Sequence, residues 1–267
     1  MPVSRLDTDL STSSYDPELY DSLVAVEENH FWFRARNRAI ATVFETIRHG
    51  LPPGYRVLEV GCGTGNVLRT LQQSAAGGMV VGMDLYQEGL EYARRRLDPA
   101  NLVRADVGHP PFGVRFDVVG VFDVVEHLDD DVTALRGLRE LLKDGGVLML
   151  TVPADPRLWS YFDVGSHHKR RYEKGDLLDK LARAGYEVEY LTPYMGLLHP
   201  VMWLGRRLTA WRRGGRTDPW DLAQADLRVR PISGALMGFF LARELPALRR
   251  RMTLPLGASL LAVARRT

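Results

Sequence analysis

Cysteine is almost missing from this 267-residue sequence; Cys62 stands alone. A single thiol excludes an intrachain disulfide and fits a reducing compartment, so a cytoplasmic protein is expected. Long apolar runs are missing too. None approaches the ~20 residues that a membrane-spanning helix needs. The opening stretch, MPVSRLDTDLSTSSYDPELY, has no apolar signal-peptide core. The expected molecule is soluble, or at most attached to a membrane surface. Charge of one sign is also scarce. Thirty-five Lys and Arg against 33 Asp and Glu leave a formal charge of +2, too little by itself to argue for nucleic acid. There is no internal repeat and no low-complexity segment. What is present is a 45% hydrophobic composition, enough for a real core in one large domain.

From Tyr55 onward, short apolar runs alternate with amphipathic stretches. RVLEV, MVVGMD, NLVRAD, FDVVGVFD and VLMLTVP read as strands. NVLRTLQQSA, YQEGLEYARRRL, DVTALRGLRELLKDGG and KGDLLDKLARAG read as helices, the last two closed by glycine. Strands spaced by helices of this length predict a parallel sheet with crossover helices. Ahead of it, residues 18–50 predict a helix broken near the aromatic triplet Phe31–Phe33 and ended by Gly50 and PPG. After Leu191 the composition turns apolar and basic before SLLAVA, a last strand.

The loop LEVGCGTG, residues 58–65, follows a predicted strand and opens a predicted helix. Glycines 61, 63 and 65 let the backbone turn sharply and approach a ligand. A nicotinamide dinucleotide site wants G-x-G-x-x-G and a pyrophosphate on the helix N-terminus. Here the spacing is G-x-G-x-G, and Glu59 precedes it. A carboxylate there repels a pyrophosphate and suits a ligand carrying an ammonium and a sulfonium. Asp84 ends the second strand, where an acid can hold ribose hydroxyls. Asp106 ends the third, in reach of an adenine amine.

Glu59 to Gly65, Asp84, Asp106 and the strand FDVVGVFD together resemble the class I S-adenosylmethionine-dependent methyltransferases, over residues 55–191. The resemblance implies a doubly wound, Rossmann-like α/β fold with a seven-stranded sheet and, here, a helical insertion before the last strand. It divides the chain into a helical lid (1–50), a cofactor-binding core (51–191), a helical substrate cap (192–252) and a final strand (253–267). It implies that Glu59, Gly61 and Gly63 contact the methionine end of S-adenosylmethionine, with Gly65 also among the cofactor-binding residues. Asp84 would then take the ribose, Asp106 and the Val107 backbone the adenine. Leu85 would pack on the adenine face, and Phe122 would lie at the cofactor's edge. Cys62 reads as a small filler.

Asp123, Glu126 and His127 form D-x-x-E-H after the fourth strand, where such a sheet opens its ligand crevice. They could bind a cation, position an acceptor or act as a base, or simply suit a helix N-terminus that favours acids. The segment resembles the E-x-x-E-H of ubiquinone-biosynthesis and small-RNA 2′-O-methyltransferases, in which a distant histidine completes a metal set. That resemblance makes Asp123, Glu126, His127 and His168 candidate ligands of a divalent metal, with Asp where those families have Glu. Glu126, His127 and His168 are also the candidate catalytic groups.

SHHKRRY, residues 166–172, offers His167 at the acceptor as a group that could take a hydroxyl proton, and Arg170, Arg171 and Tyr172 as contacts to a phosphate or carboxylate of the acceptor, or the stretch is an ordinary surface turn. Trp32 and Arg36, in NHFWFRAR, are candidate lid residues at the substrate, or packing residues. About 60 residues (192–252) separate the last two strands, a length that predicts structure of its own. The run 203–216 is rich in Trp and Arg, and could touch an anionic membrane or a second copy of the chain, or form an ordinary cap helix.

The expected activity is methyl transfer from S-adenosylmethionine to a small-molecule acceptor, most naturally at oxygen, on a natural product or a lipid or glycan precursor. The alternatives are C- or N-methylation, or a cofactor-binding protein without catalysis acting as a partner or membrane-surface module. No nucleic-acid partner is expected.

Overall fold

The computed structural model describes residues 19–97, 101–204 and 231–267. Two helices lead: α1 (Leu19–Glu27) and α2 (Phe31–Arg48). The break between them falls at the aromatic triplet, where the His30 side chain accepts from the Trp32 N–H (3.2 Å) and starts α2. Then come β1 (Arg56–Val60), α3 (Asn66–Ser74), β2 (Met79–Asp84), α4 (Gln87–Arg96), β3 (Asn101–Arg104) and β4 (Phe116–Phe122). They are followed by α5 (Asp131–Leu141), β5 (Leu142–Pro153), α6 (Tyr161–Gly165), α7 (Lys174–Arg183) and β6 (Tyr186–Tyr194). Helices α8 (Pro231–Ala242) and α9 (Leu245–Arg249) precede β7 (Ser259–Arg266).

The seven strands form one sheet in the order β3-β2-β1-β4-β5-β7-β6. The first five are parallel, and β7 runs antiparallel between β5 and β6. The sheet is apolar on both faces, as a sheet covered on both sides must be. Alternation divides its side chains: Val57 and Val118 join the core under α2 and α3, while Leu58 and Val119 join the core under α5 and α7. The 18-residue α2 fixes the first layer by burying Ala39, Ile40, Val43, Phe44 and Ile47. Helices α8 and α9 pack against α2.

Within the expected cap, residues 198–204 are helical, as are α8 and α9. The membrane or dimer contact expected over 203–216 falls, past Leu204, outside the described residues. No described helix is long and apolar enough to cross a membrane.

Two crossings decide where a ligand can sit. Helices α3 and α4 lie on one face and α5 on the other, so the C-terminal ends of β1, β2 and β4 open between them. This is the switch point of a doubly wound sheet.

Candidate active site

A cavity of about 530 Å³ lies over those strand ends, within the range of small-molecule sites. Its floor is the loop after β1. Gly61, Gly63 and Gly65 take φ values of 74°, 49° and 77°, which disfavour any side chain. At Gly61 a Cβ would also stand 2.4 Å from Cγ2 of Val124, so the loop lies close against the turn after β4. The Gly63 N–H donates to Oδ2 of Asp84 (2.6 Å), and the Tyr86 N–H to Oδ1 (2.9 Å). Asp84 thereby ties the loop to the start of α4 and still lines the cavity.

Glu59 is 2% exposed, and its Oε2 has no hydrogen-bond partner among the described residues. Burial pushes its carboxyl well above the usual range; the Arg36 guanidinium pulls it back, and Asp84 adds to the rise. A buried carboxyl with an unused oxygen suits a cationic ligand group. Leu85, Asp106, Val107 and Phe122 also line the cavity, and Asp106 accepts the Gly108 N–H (2.6 Å). The structure thus gathers every residue proposed for the cofactor except Gly65 into the cavity wall; Gly65 packs instead against Ala93 as the N-cap of α3.

The lid side holds residues that sequence reasoning missed. Tyr20 and Glu27 of α1 line the cavity, with Phe33 of α2. Glu27 accepts from Thr64 Oγ1 (2.8 Å) and pairs with Arg96, which clasps α1 onto the glycine loop. No local motif marks them, since their partners lie 37 and 69 residues away. Arg36 lines the cavity and stacks over Trp32 at 5.0 Å, while Trp32 itself stands behind it.

At the far end, Asp123 has φ 56° and pairs with Arg36 (3.0 Å), its other oxygen accepting from Thr151 Oγ1 (3.1 Å). It is therefore turned toward α2. Glu126, His127 and His168 come together without it: one ligand atom from each lies within 4.8 Å of the others. His127 forms the cavity wall, and His168 stands behind it with ring centroids 4.9 Å apart. Burial, then the neighbouring His168, lowers His127 to about 3, so it is neutral at physiological pH. Glu126 is fully buried with neither oxygen hydrogen-bonded among the described residues. Burial first, and Asp123 next, pushes its carboxyl well above the usual range.

Beyond His168, SHHKRRY turns away from the cavity. Arg170 pairs with Asp131 (2.9 Å). Arg171 is buried, donating to Asp163 (2.7 Å) and to the Ala154 carbonyl (3.0 Å). The Tyr172 hydroxyl donates to Asp131 (2.8 Å) from a ring that is 1% exposed. None of the three lines the cavity; the two guanidinium groups and the phenol answer the buried carboxylates of Asp131 and Asp163 instead. His167 is exposed at φ 55°. The residue of this stretch that does reach the cavity is Lys169, which pairs with Asp129.

A methyltransferase-domain family model matches residues 28–191. The chain belongs to this methyltransferase family. A ubiquinone biosynthesis O-methyltransferase of Ruegeria pomeroyi is 27% identical over 202 residues, 68% of this chain and 73% of that protein. A trans-aconitate 2-methyltransferase of Afipia carboxidovorans is 28% identical over 163 residues, 58% of this chain and 59% of that one. Among solved structures, an S-adenosylmethionine-dependent methyltransferase of Clostridium acetobutylicum aligns with a TM-score of 0.55 at 12% identity. That alignment covers 93% of this methyltransferase and 96% of the other chain. A TehB-like one from Corynebacterium glutamicum gives 0.53 at 17%, covering 94% and 100%. The methyltransferase is thus an S-adenosylmethionine-dependent enzyme by family, on the Rossmann-like fold of these solved structures.

Proposed function

We propose that this enzyme methylates an oxygen of a small hydroxylated acceptor of apolar or aromatic character. The observation that carries the reading is His127: a neutral imidazole in the cavity wall, close beside the turn that packs on the glycine loop.

The cavity fits S-adenosylmethionine in size, in the close approach allowed at Gly61, and in the unused oxygen of Glu59. When bound, that cofactor supplies an electrophilic methyl on a sulfonium. Glu59 would receive its ammonium and Arg36 its carboxylate. Asp84 would take the ribose hydroxyls, and Asp106 with the Val107 backbone the adenine. The acceptor then enters beside His127, Leu128 and Lys169. Methyl transfer to oxygen would release the hydroxyl proton, and the His127 imidazole is the wall group placed to receive it and pass it on to solvent. A neutral imidazole can accept a hydrogen bond from that hydroxyl and so orient it for in-line attack. The curated O-methyltransferase relative agrees with oxygen as the target.

The test is a panel of catechols, phenols, hydroxy acids and amines with ¹³C-methyl cofactor, read by mass and by the methyl carbon shift. O-methyl products are expected; a methyl found only on nitrogen or carbon counts against the reading. His127→Ala should lower kcat by about 10²–10⁴ while leaving cofactor affinity in place.

One observation favours a second reading. The buried Glu126 carboxyl lacks partners beside two imidazoles, a donor set that could hold a divalent transition metal through Glu126, His127 and His168. Such an ion would act on the acceptor oxygen as a Lewis acid. Metal found by elemental analysis of chelator-free protein, with activity lost on chelation, supports it; full activity in excess chelator removes it.

A further inference from the structure

The geometry points to Asp163 as the positioning residue of the histidine pair: it holds the proton of His168 on Nδ1 and leaves Nε2 as a bare acceptor in the Glu126–His127 cluster. This rests on the reading that the cluster serves methyl transfer, but its structural content can be tested without turnover.

Asp163 is fully buried, in the short α6. Its Oδ2 accepts the Ser160 N–H (2.9 Å), completing a capping box. Its Oδ1 meets Arg171 Nε at 2.7 Å and His168 Nδ1 at 3.0 Å. A carboxylate that answers a buried guanidinium is ionised and can only accept. The nitrogen facing it must therefore be the N–H, which fixes the tautomer of a neutral His168.

The ring is held as well as protonated. The His168 backbone N–H donates to the Asp163 carbonyl (2.8 Å), and the Lys169 N–H to the Glu126 carbonyl (2.8 Å). The segment is thus pinned at both ends, to α6 and to the turn carrying Glu126 and His127. With Nδ1 engaged, Nε2 is the nitrogen His168 can offer to the cluster. Neither oxygen of the buried Glu126 carboxyl has a hydrogen-bond partner among the described residues. The opposite tautomer would set an N–H there and leave a lone pair against the Asp163 carboxylate.

The arrangement is a carboxylate orienting an imidazole from behind, the logic by which supporting groups tune a functional histidine. Arg171 keeps that carboxylate charged. This gives a role to an arginine that otherwise looks like a buried structural cation.

The experiment is long-range ¹H–¹⁵N correlation NMR of the full chain labelled at its seven histidines, with His168 assigned by comparison to His168→Gln. It is run at about pH 8.5, two units above the ordinary imidazole value, so that a free ring is neutral. The Nδ1–H tautomer of His168 is expected as the dominant form. An Nε2–H tautomer, an even mixture or a doubly protonated ring overturns the proposal. Asp163→Asn, shown to be folded by circular dichroism and still to bind S-adenosylhomocysteine, should shift His168 toward a mixture of tautomers. An unchanged His168 signal in that variant would mean a purely structural aspartate, and overturns the proposal. If the variant does not fold, the wild-type spectrum decides alone. Failure to methylate any acceptor would remove the proposed reaction and leave the tautomer result standing, so the two failures are distinguishable.

Discussion

Gly61 has φ 74° and no space for a methyl group, with Val124 Cγ2 2.4 Å from where a Cβ would lie. Gly61→Ala must strain the loop or push the turn after β4 away, at a cost of about 1–3 kcal/mol. Its affinity for S-adenosylhomocysteine should fall about tenfold or more by calorimetry; an unchanged affinity would argue that the loop does not hold the cofactor. His127 gives a pH signature. Its folded value of about 3 lies below the ordinary 6.5, so between them the unfolded chain binds a proton that the folded chain refuses. Stability fully present above 6.5 is then lost as pH falls toward 3. Glu126 acts in the opposite sense: its raised carboxyl keeps a proton that the unfolded chain gives up above 4.5, so stability falls as pH rises from there. Melting curves of His127→Phe should show a shallower acid limb than wild type, and an identical limb would contradict the assignment. Residues whose place at the cavity follows from local sequence were legible. Glu59, the loop glycines, Asp84 and Asp106 follow from spacing to strand ends. Asp163, Tyr20 and Glu27 were not, because their roles come from where the chain returns. Arg171 and Tyr172 show the same limit, since a charged or phenolic side chain reads alike whether it meets a ligand or a buried carboxylate.

At the scale of elements, Asp131 at the start of α5 is the knot of the second layer. Its Oδ2 accepts from Tyr172 (2.8 Å) and Lys180 (2.8 Å), and pairs with Arg170 (2.9 Å). This joins α5 to α7 and to the segment after β5. Asp131→Ala strands two cations and a phenol, and breaking a buried pair this way costs about 3–5 kcal/mol. The melting temperature should drop by about 10 °C in a thermal scan; a loss under about 2 °C would show the cations finding water instead. The alternation of strands and helices was readable because each is long enough for its apolar period to show, and the α1–α2 break because His30 caps next to the aromatics. The turn at Pro156–Leu158 and α6 were not read. They are too short for a period, and arise from the caps Asp155 and Ser160. β5 also begins earlier than its apolar run, pairing Leu142 with Phe116.

For the whole molecule, the cavity draws on α1, α2, the loop after β1, and the ends of β2 and β4. A ligand there should stabilise the entire fold by mass action, about 2.7 kcal/mol at a hundredfold excess over Kd. S-adenosylhomocysteine should raise the melting temperature by several degrees and NAD should not; the reverse order would point to a dinucleotide site. The order of the sheet, finally, has a bearing on how the chain is made. β7 lies between β5 and β6, yet it comes last of the seven in sequence. On the ribosome, β1 to β5 can pair as they emerge, but β6 has no neighbour until β7 has been synthesised, with everything between Tyr194 and Ser259 produced in the meantime. Through that interval the free edge of β5 and the whole of β6 are open to wrong partners, so this is the stage of synthesis at which the chain is most exposed to misassembly.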